Sequence, residues 1–267
     1  MLSKAEIDKA AEDLYQAERD RRQIDPVTLT HPDMTMDDAY AIQSEGIVKK
    51  VAAGRSIIGY KIGLTSRAMQ AAMKINEPDY GVLLDDMVFA DGSDIETARF
   101  SDPRVEAELA FVLKDRLEGE SVTMFDVLNA TDYVVPALEL ISARSHRVHP
   151  ETGYTRKIYD TISDNAANAG IIMGGRPIRP NDMDLRWCGA LFYVNGVLEE
   201  TGLAAGVLNH PANGICWVAK RFAPHGIALE PGQVILSGSF IRPVIVKAGD
   251  TVHADYGPLG GISCRFV

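Results

Sequence analysis

Cysteine is scarce in this chain and basic charge is in deficit. The three cysteines among 267 residues, Cys188, Cys216 and Cys264, stand too far apart for a CxxC redox pair or paired zinc knuckles, which leaves reduced, buried thiols. Asp plus Glu number 37 against 27 Lys plus Arg, a formal net charge of −10 with no basic tail. Such a surface repels phosphate backbones, so nucleic acid is not an expected partner. No apolar run approaches the ~20 residues that cross a bilayer, and Met1-Leu2-Ser3-Lys4-Ala5-Glu6 lacks the apolar stretch of a secretory leader. The expectation is a cytoplasmic protein with no membrane role. GxxxxGK[ST], GxGxxG, HExxH and GxSxG are all missing, which removes most nucleotide-dependent, zinc-protease and serine-hydrolase chemistry.

What remains is ordinary globular composition, 46% hydrophobic and 24% charged, in a chain long enough to bury a core. Ser3 and Glu6 form a capping-box pattern, and Ile7, Ala10, Leu14 and Ala17 follow on one helical face, predicting a helix that ends near Gln23. Thr35 can cap a second helix with Asp37 and Asp38 in its first turn and Gly54 as its stop, burying Met36, Tyr40, Ile47 and Val51. From Ser56 onward short apolar runs alternate with glycine, as strands do: Ile57 to Tyr60, Val82 to Leu84, Val105 to Leu113, Tyr133 to Ile141, Gly170 to Met173, Leu191 to Val194, Gln233 to Leu236, Pro243 to Val246 and Gly261 to Val267. Helices are expected to interrupt them from Asp164 or Asn165 through Ala167, and after His210-Pro211. The fold class is α+β: an N-terminal helical layer over residues 1–55 on a β-rich body over residues 56–267, as one integrated domain.

Buried charge marks where chemistry could sit. In an extended strand Glu106 and Glu108 share a face, their Cα atoms about 6.5 Å apart, and can reach one cation. An arbitrary ExE is more often a solvated strand face, but Leu109 to Leu113 is apolar on both faces, as in a buried strand. Glu139 stands alone in Val134-Val135-Pro136-Ala137-Leu138-Glu139-Leu140-Ile141, where an unpaired carboxylate would cost several kcal/mol. Arg144 could pair with it. Alternatively it joins Glu106 and Glu108 around a divalent ion, and all-oxygen ligation selects magnesium or manganese. Lys61, between Gly59 and Gly63, is either a snorkelling surface lysine or a buried amine whose pKa desolvation lowers toward proton transfer. Asp79 reads locally as a turn residue, and Asp182 and Asp184 as caps or turns. His146 and His149 read as solvated. Ser237-Gly238-Ser239, after a strand, could hold a carboxylate in a small anion nest or be an ordinary turn.

In their joint order, Gly59-Tyr60-Lys61-Ile62-Gly63-Leu64-Thr65-Ser66, Pro78-Asp79-Tyr80-Gly81-Val82-Leu83, Glu106-x-Glu108, Pro136-Ala137-Leu138-Glu139, Ser163-Asp164-Asn165-Ala166-Ala167, Val207-Leu208-Asn209-His210-Pro211 and Pro231-Gly232-Gln233-Val234-Ile235-Leu236-Ser237-Gly238 resemble the hydratase and decarboxylase branch of the fumarylacetoacetate hydrolase superfamily. The resemblance implies mixed, mostly antiparallel twisted sheets rolled around the active site, Mg2+ (or Mn2+) on Glu106, Glu108 and Glu139, and homo-oligomers built on pentamers, including decamers. By position, Lys61 and Asp79 become the proton-handling pair. Ser237, Ser239, Asp164 and Arg156 become candidate substrate contacts, with Arg67, Arg156 and Lys157 all available for a second carboxylate. The implied activity is hydration of a small 2-hydroxy-dienedioate in homoprotocatechuate breakdown, with the ion as Lewis acid for dienolate charge. A decarboxylase of 2-oxo-3-enedioates, a hydratase of the five-carbon monoacid, and an inert partner of such a decarboxylase are the alternatives. A carbon–carbon hydrolase ranks lower, because no histidine stands near the carboxylate motifs.

Overall fold

The computed structural model describes residues 1–73 and 75–267, without the side chain of Ala72. Among the described residues the helices are α1 (Lys4–Arg19), α2 (Val27–Thr30), α3 (Met36–Ala52), α4 (Arg67–Met73), α5 (Met124–Ala130), α6 (Ile158–Ser163) and α7 (Ala212–Phe222). The strands are β1 (Ile57–Gly63), β2 (Asp79–Leu84), β3 (Val88–Phe89), β4 (Asp94–Ile95), β5 (Arg104–Leu113), β6 (Thr131–Ile141), β7 (Asn168–Met173), β8 (Gly189–Val194), β9 (Val197–Leu203), β10 (Val234–Leu236), β11 (Val244–Ile245), β12 (Thr251–Asp255) and β13 (Gly261–Phe266). No described helix is long and apolar enough to cross a membrane.

The capping boxes read from the sequence form as expected. Ser3 and Glu6 close α1, and Thr35 and Asp38 close α3, each side chain accepting from the other's backbone N–H. Helix α1 stops at Arg19 rather than near Gln23, because Arg21 adopts a left-handed φ of 54° and the Arg22 N–H bonds back to Ala17 O, a reversal that satisfies the last carbonyls. Val51 is exposed at the end of α3, not buried. With Ile158 and Ile162 of α6, the apolar faces of α1 and α3 build a small core of their own.

Two mixed sheets form the body. The larger runs β2-β1-β10-β5-β6-β7-β3 with β11 beside β5, and the smaller runs β4-β13-β12-β8-β9. Among the strands described, β1–β10, β3–β7 and β13–β4 pair in parallel and the other pairs are antiparallel. The long hairpin β5–β6 is the spine, and its alternation separates two environments. Val105, Ala107, Leu109 and Phe111 point into the large core, while Ala110 belongs to a second apolar cluster with Leu83, Val135, Ala137, Ile171, Val234 and Leu236 on the other face. Behind β1 and β2, Phe222 of α7 meets Tyr60 and Tyr80 edge-on at ring centroids of 4.8 and 4.9 Å, and Tyr80 stacks on Tyr40 of α3 at 4.5 Å. Aromatic packing thus holds the outer face of the β1–β2 pair and leaves its inner face for polar side chains.

The expected helix from Asp164 through Ala167 is a single 3-10 turn over Asn165–Ala167, and its residues are left-handed. Asn165, Ala166 and Ala167 carry φ values of 50°, 51° and 58°, because the Asn165 carboxamide must reach both the N–H and the carbonyl of Val82, at 2.7 and 2.9 Å. That turn covers the free edge of β2, a job a helix could not do. Strand β9 and strand β12 were not legible as apolar runs, since β9 is exposed along most of its length and β12 alternates exposed Thr251 and His253 with buried Val252 and Ala254.

Close backbone approach fixes the β1–β10 pair: a Cβ on Gly59 would sit 1.8 Å from Val234 O. Gly59→Ala should therefore destabilise the fold by about 2 kcal/mol or more, read as a lower urea midpoint at unchanged slope. A wild-type midpoint would contradict this packing.

Candidate metal centre

The β5–β6 register sets Glu106 opposite Glu139 and Glu108 opposite Ala137, so three carboxylates share the inner face across adjacent strands. One oxygen from each lies within 4.8 Å of the others. Glu108 and Glu139 are buried and Glu106 is half-buried. Lys61 stands three strand positions from Glu139, which in a flat sheet is about 14 Å. Yet its Nζ lies 3.2 Å from Glu139 Oε1, so the sheet must curl to bring the two together over β10 and β5. Asp79 opens β2 directly opposite Gly63, and its buried Oδ1 has no hydrogen-bond partner. A Cβ at Gly63 would fall 2.2 Å from that oxygen and 3.2 Å from Lys61 Nζ, so glycine there is a condition of the site.

Burial drives the electrostatics. It pushes Glu106 up to about 8, with the Glu139 charge adding to the effect, and raises Glu108 well above the carboxylate range for the same two reasons. Glu139 and Asp79 are raised by burial against the pull of Lys61. For Lys61, burial pulls the amine down, but Glu139, Asp79, Glu106 and Glu108 together outweigh it and hold the ammonium above its ordinary value. This corrects the expectation that desolvation alone lowers this lysine. Its proton becomes labile only when something else neutralises the carboxylates.

Neither oxygen of fully buried Glu139 completes a hydrogen bond of ordinary geometry. Glu108 Oε2 accepts one, from the Gly238 N–H at 2.9 Å. Three acids held this close, two of them buried and Glu139 without donors, fit a divalent cation, and the donor set is all oxygen, which suits magnesium or manganese.

Arg144 is not the partner of Glu139. Its Nε bonds Asp164 Oδ1 at 2.5 Å and its backbone N–H bonds Asp164 Oδ2 at 2.8 Å. Asp164, expected at the substrate, is thereby engaged in fixing Arg144. The Ser237-Gly238-Ser239 nest does hold a carboxylate, but it is that of Glu108. Ser239 Oγ donates into its own turn, to Ile241 O at 2.9 Å, while the wholly buried Ser237 hydroxyl has no partner. Arg67 and Lys157 are exposed and Arg156 is buried. His149 is also buried, Nε2 3.1 Å from Asp25 Oδ1, rather than solvated, because residues 147–156 fold back on themselves over the helical layer. Asp182 and Asp184 are turn and cap residues, and the three cysteines are free and buried, as read. The close approach at Gly63 and the anion nest around Gly238 are thus where the sequence reading placed them; what it did not show is that the nest's N–H serves Glu108 rather than a substrate.

A sequence model of the Fumarylacetoacetate (FAA) hydrolase C-terminal region matches residues 55–267. The chain is 62% identical over 257 residues, 96% of each chain, to the 2-oxo-hept-4-ene-1,7-dioate hydratase of Escherichia coli. It is 39% identical over 97% of its length and 94% of the relative's to the 2-keto-4-pentenoate hydratase of Paraburkholderia xenovorans. Among solved structures, 4-oxalocrotonate decarboxylase from Pseudomonas putida G7, complexed with magnesium and adipate, superposes with a TM-score of 0.94 at 34% identity, covering 100% of this chain and 99% of that one.

Two outcomes test the cluster. Glu139→Gln should weaken magnesium binding by at least ~100-fold in calorimetry, since one ligand of a buried charged site is lost; unchanged affinity would place the ion elsewhere. The raised carboxyls keep protons in the folded chain that the unfolded chain releases, so without an ion their contribution to stability is lost as pH rises from about 5 toward about 8. Magnesium must displace those protons. The rise in Tm on adding magnesium should accordingly grow over that window, and a pH-independent increment would rule out ligation by these acids.

Proposed function

The chain belongs to the fumarylacetoacetate hydrolase family, and we propose that it is a divalent-metal-dependent hydro-lyase that adds water to 2-hydroxyhepta-2,4-dienedioate, giving 4-hydroxy-2-oxoheptanedioate. The observation that carries this reading is the pairing of a buried lysine with a three-carboxylate ion site on one concave face, in a chain 62% identical to a relative named for that hydration. The magnesium in a superposable neighbour supports the choice of ion.

Glu106, Glu108 and Glu139 would hold the magnesium ion, which when bound would supply a Lewis acid for negative charge on the substrate's 2-oxygen. Once their charge is neutralised, burial governs Lys61, and the amine can exchange its proton. Lys61 moves a proton from the 2-hydroxyl to C5, which converts the dienol into the conjugated 2-oxo-3-ene. Asp79, raised by burial and lacking a partner on Oδ1, takes a proton from water as the water oxygen bonds C4 and the C3=C4 pair shifts toward the 2-oxygen, and that proton is returned to C3 as the enolate collapses to the 2-ketone, which leaves Asp79 ionised again. The Gly238 N–H keeps Glu108 turned toward the ion, and the apolar cluster around Ala110, Ala137 and Leu236 excludes other water.

Decarboxylation is the second reading, favoured by the superposition on a decarboxylase. It uses the same lysine and enolate and releases CO2. We also place the protein in the cytoplasm, where its free cysteines stay reduced. Oligomers built on pentamers fit the family and the apolar side chains exposed on β9, Val197, Leu198 and Leu203, and light scattering would then give a mass that is a multiple of five chains.

Turnover of 2-hydroxyhepta-2,4-dienedioate should exceed that of the five-carbon 2-hydroxypenta-2,4-dienoate, stop with a chelator and release no CO2. Stoichiometric CO2 would instead select the decarboxylase. Lys61→Ala should lower kcat by ~100-fold or more while magnesium affinity persists; unchanged turnover with bound ion would refute the role given to this lysine.

A further inference from the structure

Two arginines near the carboxylate cluster have hydrogen-bonding capacity that nothing among the described residues uses. Residues 147–156 fold back as a narrow loop, the Arg156 N–H bonding Arg147 O at 3.0 Å and Val148 bridging Thr155, so the two arginines leave the backbone side by side. Arg156 is buried, 8% exposed, and its Nη1 has no hydrogen-bond partner; the nearest acid oxygen, Asp164 Oδ2, is 3.9 Å away and already taken by Arg144. Arg147 bonds Asp102 through Nε, but its Nη2 is buried and unpartnered. On β5, Arg104 shares the face of Glu106 and Glu108; its Nη2 bonds the same Asp102 carboxylate at 3.3 Å, and its Nε is buried and unpartnered. The charges of this group reach the site from both ends, Arg147 acting on Glu106 and Arg156 on Asp79. Glu106, Arg104 and Arg147 are the half-exposed members of this group.

Buried guanidinium N–H groups without acceptors are costly, and a planar fork is shaped for a carboxylate. We infer that Arg156 and Arg147, with Arg104 at the rim, form the receptor for the far carboxylate of a diacid substrate and so set the preference for dienedioates over monoacids. The inference rests on the hydratase reading above and assigns the one end of the substrate that reading leaves without a partner. Arg67 and Lys157, being exposed, cannot hold a carboxylate out of water in this way, and Lys157 Nζ bonds Pro32 O at 3.2 Å. Arg144 is excluded because Asp164 and the Asn168 carbonyl occupy it.

The test compares the seven-carbon diacid with the five-carbon monoacid in Arg156→Met and, since Arg147 is half-exposed and a change there leaves the core packing intact, in Arg147→Gln. Each variant should raise KM for the diacid by roughly 30-fold or more, and the fall in kcat/KM on the diacid should exceed that on the monoacid by at least tenfold. Arg156→Lys should recover part of the diacid preference. A parallel readout needs no turnover: inhibition by 2-oxoheptanedioate should weaken far more than inhibition by 2-oxoheptanoate, with magnesium affinity retained. Equal losses on both substrates, or undiminished diacid preference in both variants, would overturn the receptor. Wild-type protein that turns over neither dienoate in the presence of magnesium would instead overturn the hydratase reading.

Discussion

The site depends on the mutual repulsion of acids that the β5–β6 register forces together. Glu106 faces Glu139 across the strands and Glu108 lies one pleat along; Glu108 and Glu139 are out of bulk water and Glu106 is half-buried. Left to themselves such groups hold protons, which is why burial raises every one of them. Among the described residues, Lys61 is the ammonium in contact with the cluster and the Gly238 N–H the backbone donor bonded to it, with Arg147 and Arg156 acting from farther away. That is too little positive charge for three carboxylates and Asp79, and the shortfall is what a hard divalent ion corrects.

The same shortfall links ion binding to the chemistry. While the acids carry their charge uncompensated, Lys61 is locked as an ammonium. Neutralising them hands control of the amine to burial, which favours loss of a proton. Metal and lysine are therefore parts of one device, and the fold makes it possible through curvature. A β1 side chain reaches a β6 side chain only because the sheet curls, with the Phe222, Tyr60, Tyr80 and Tyr40 packing fixed behind it.

Much of this was legible in the sequence where burial and charge conflict within a few residues. Glu139 inside an apolar strand, Lys61 between glycines and the Glu106-x-Glu108 spacing each announce a conflict that local chemistry does not resolve, and all three meet in the structure. The capping boxes at Ser3 and Thr35 were readable because each is complete within four residues. What failed depended on long-range partners. Asn165 looks like a helix start, yet its carboxamide is claimed by Val82, 83 residues earlier, which turns three residues left-handed. The bonds of Asp164 to Arg144 and of Ser239 to the turn carbonyl of Ile241 likewise had no local pattern to announce them. Asp79 gave no local sign at all, since its isolation comes from β1 and not from its own neighbours.

The most direct test of the account is anomalous diffraction at the manganese edge from crystals equilibrated with manganese. The account predicts one strong peak bounded by the carboxylates of Glu106, Glu108 and Glu139, with Lys61 turned toward its edge. A fully loaded protein with no peak there, or with manganese seated on other side chains, would contradict it.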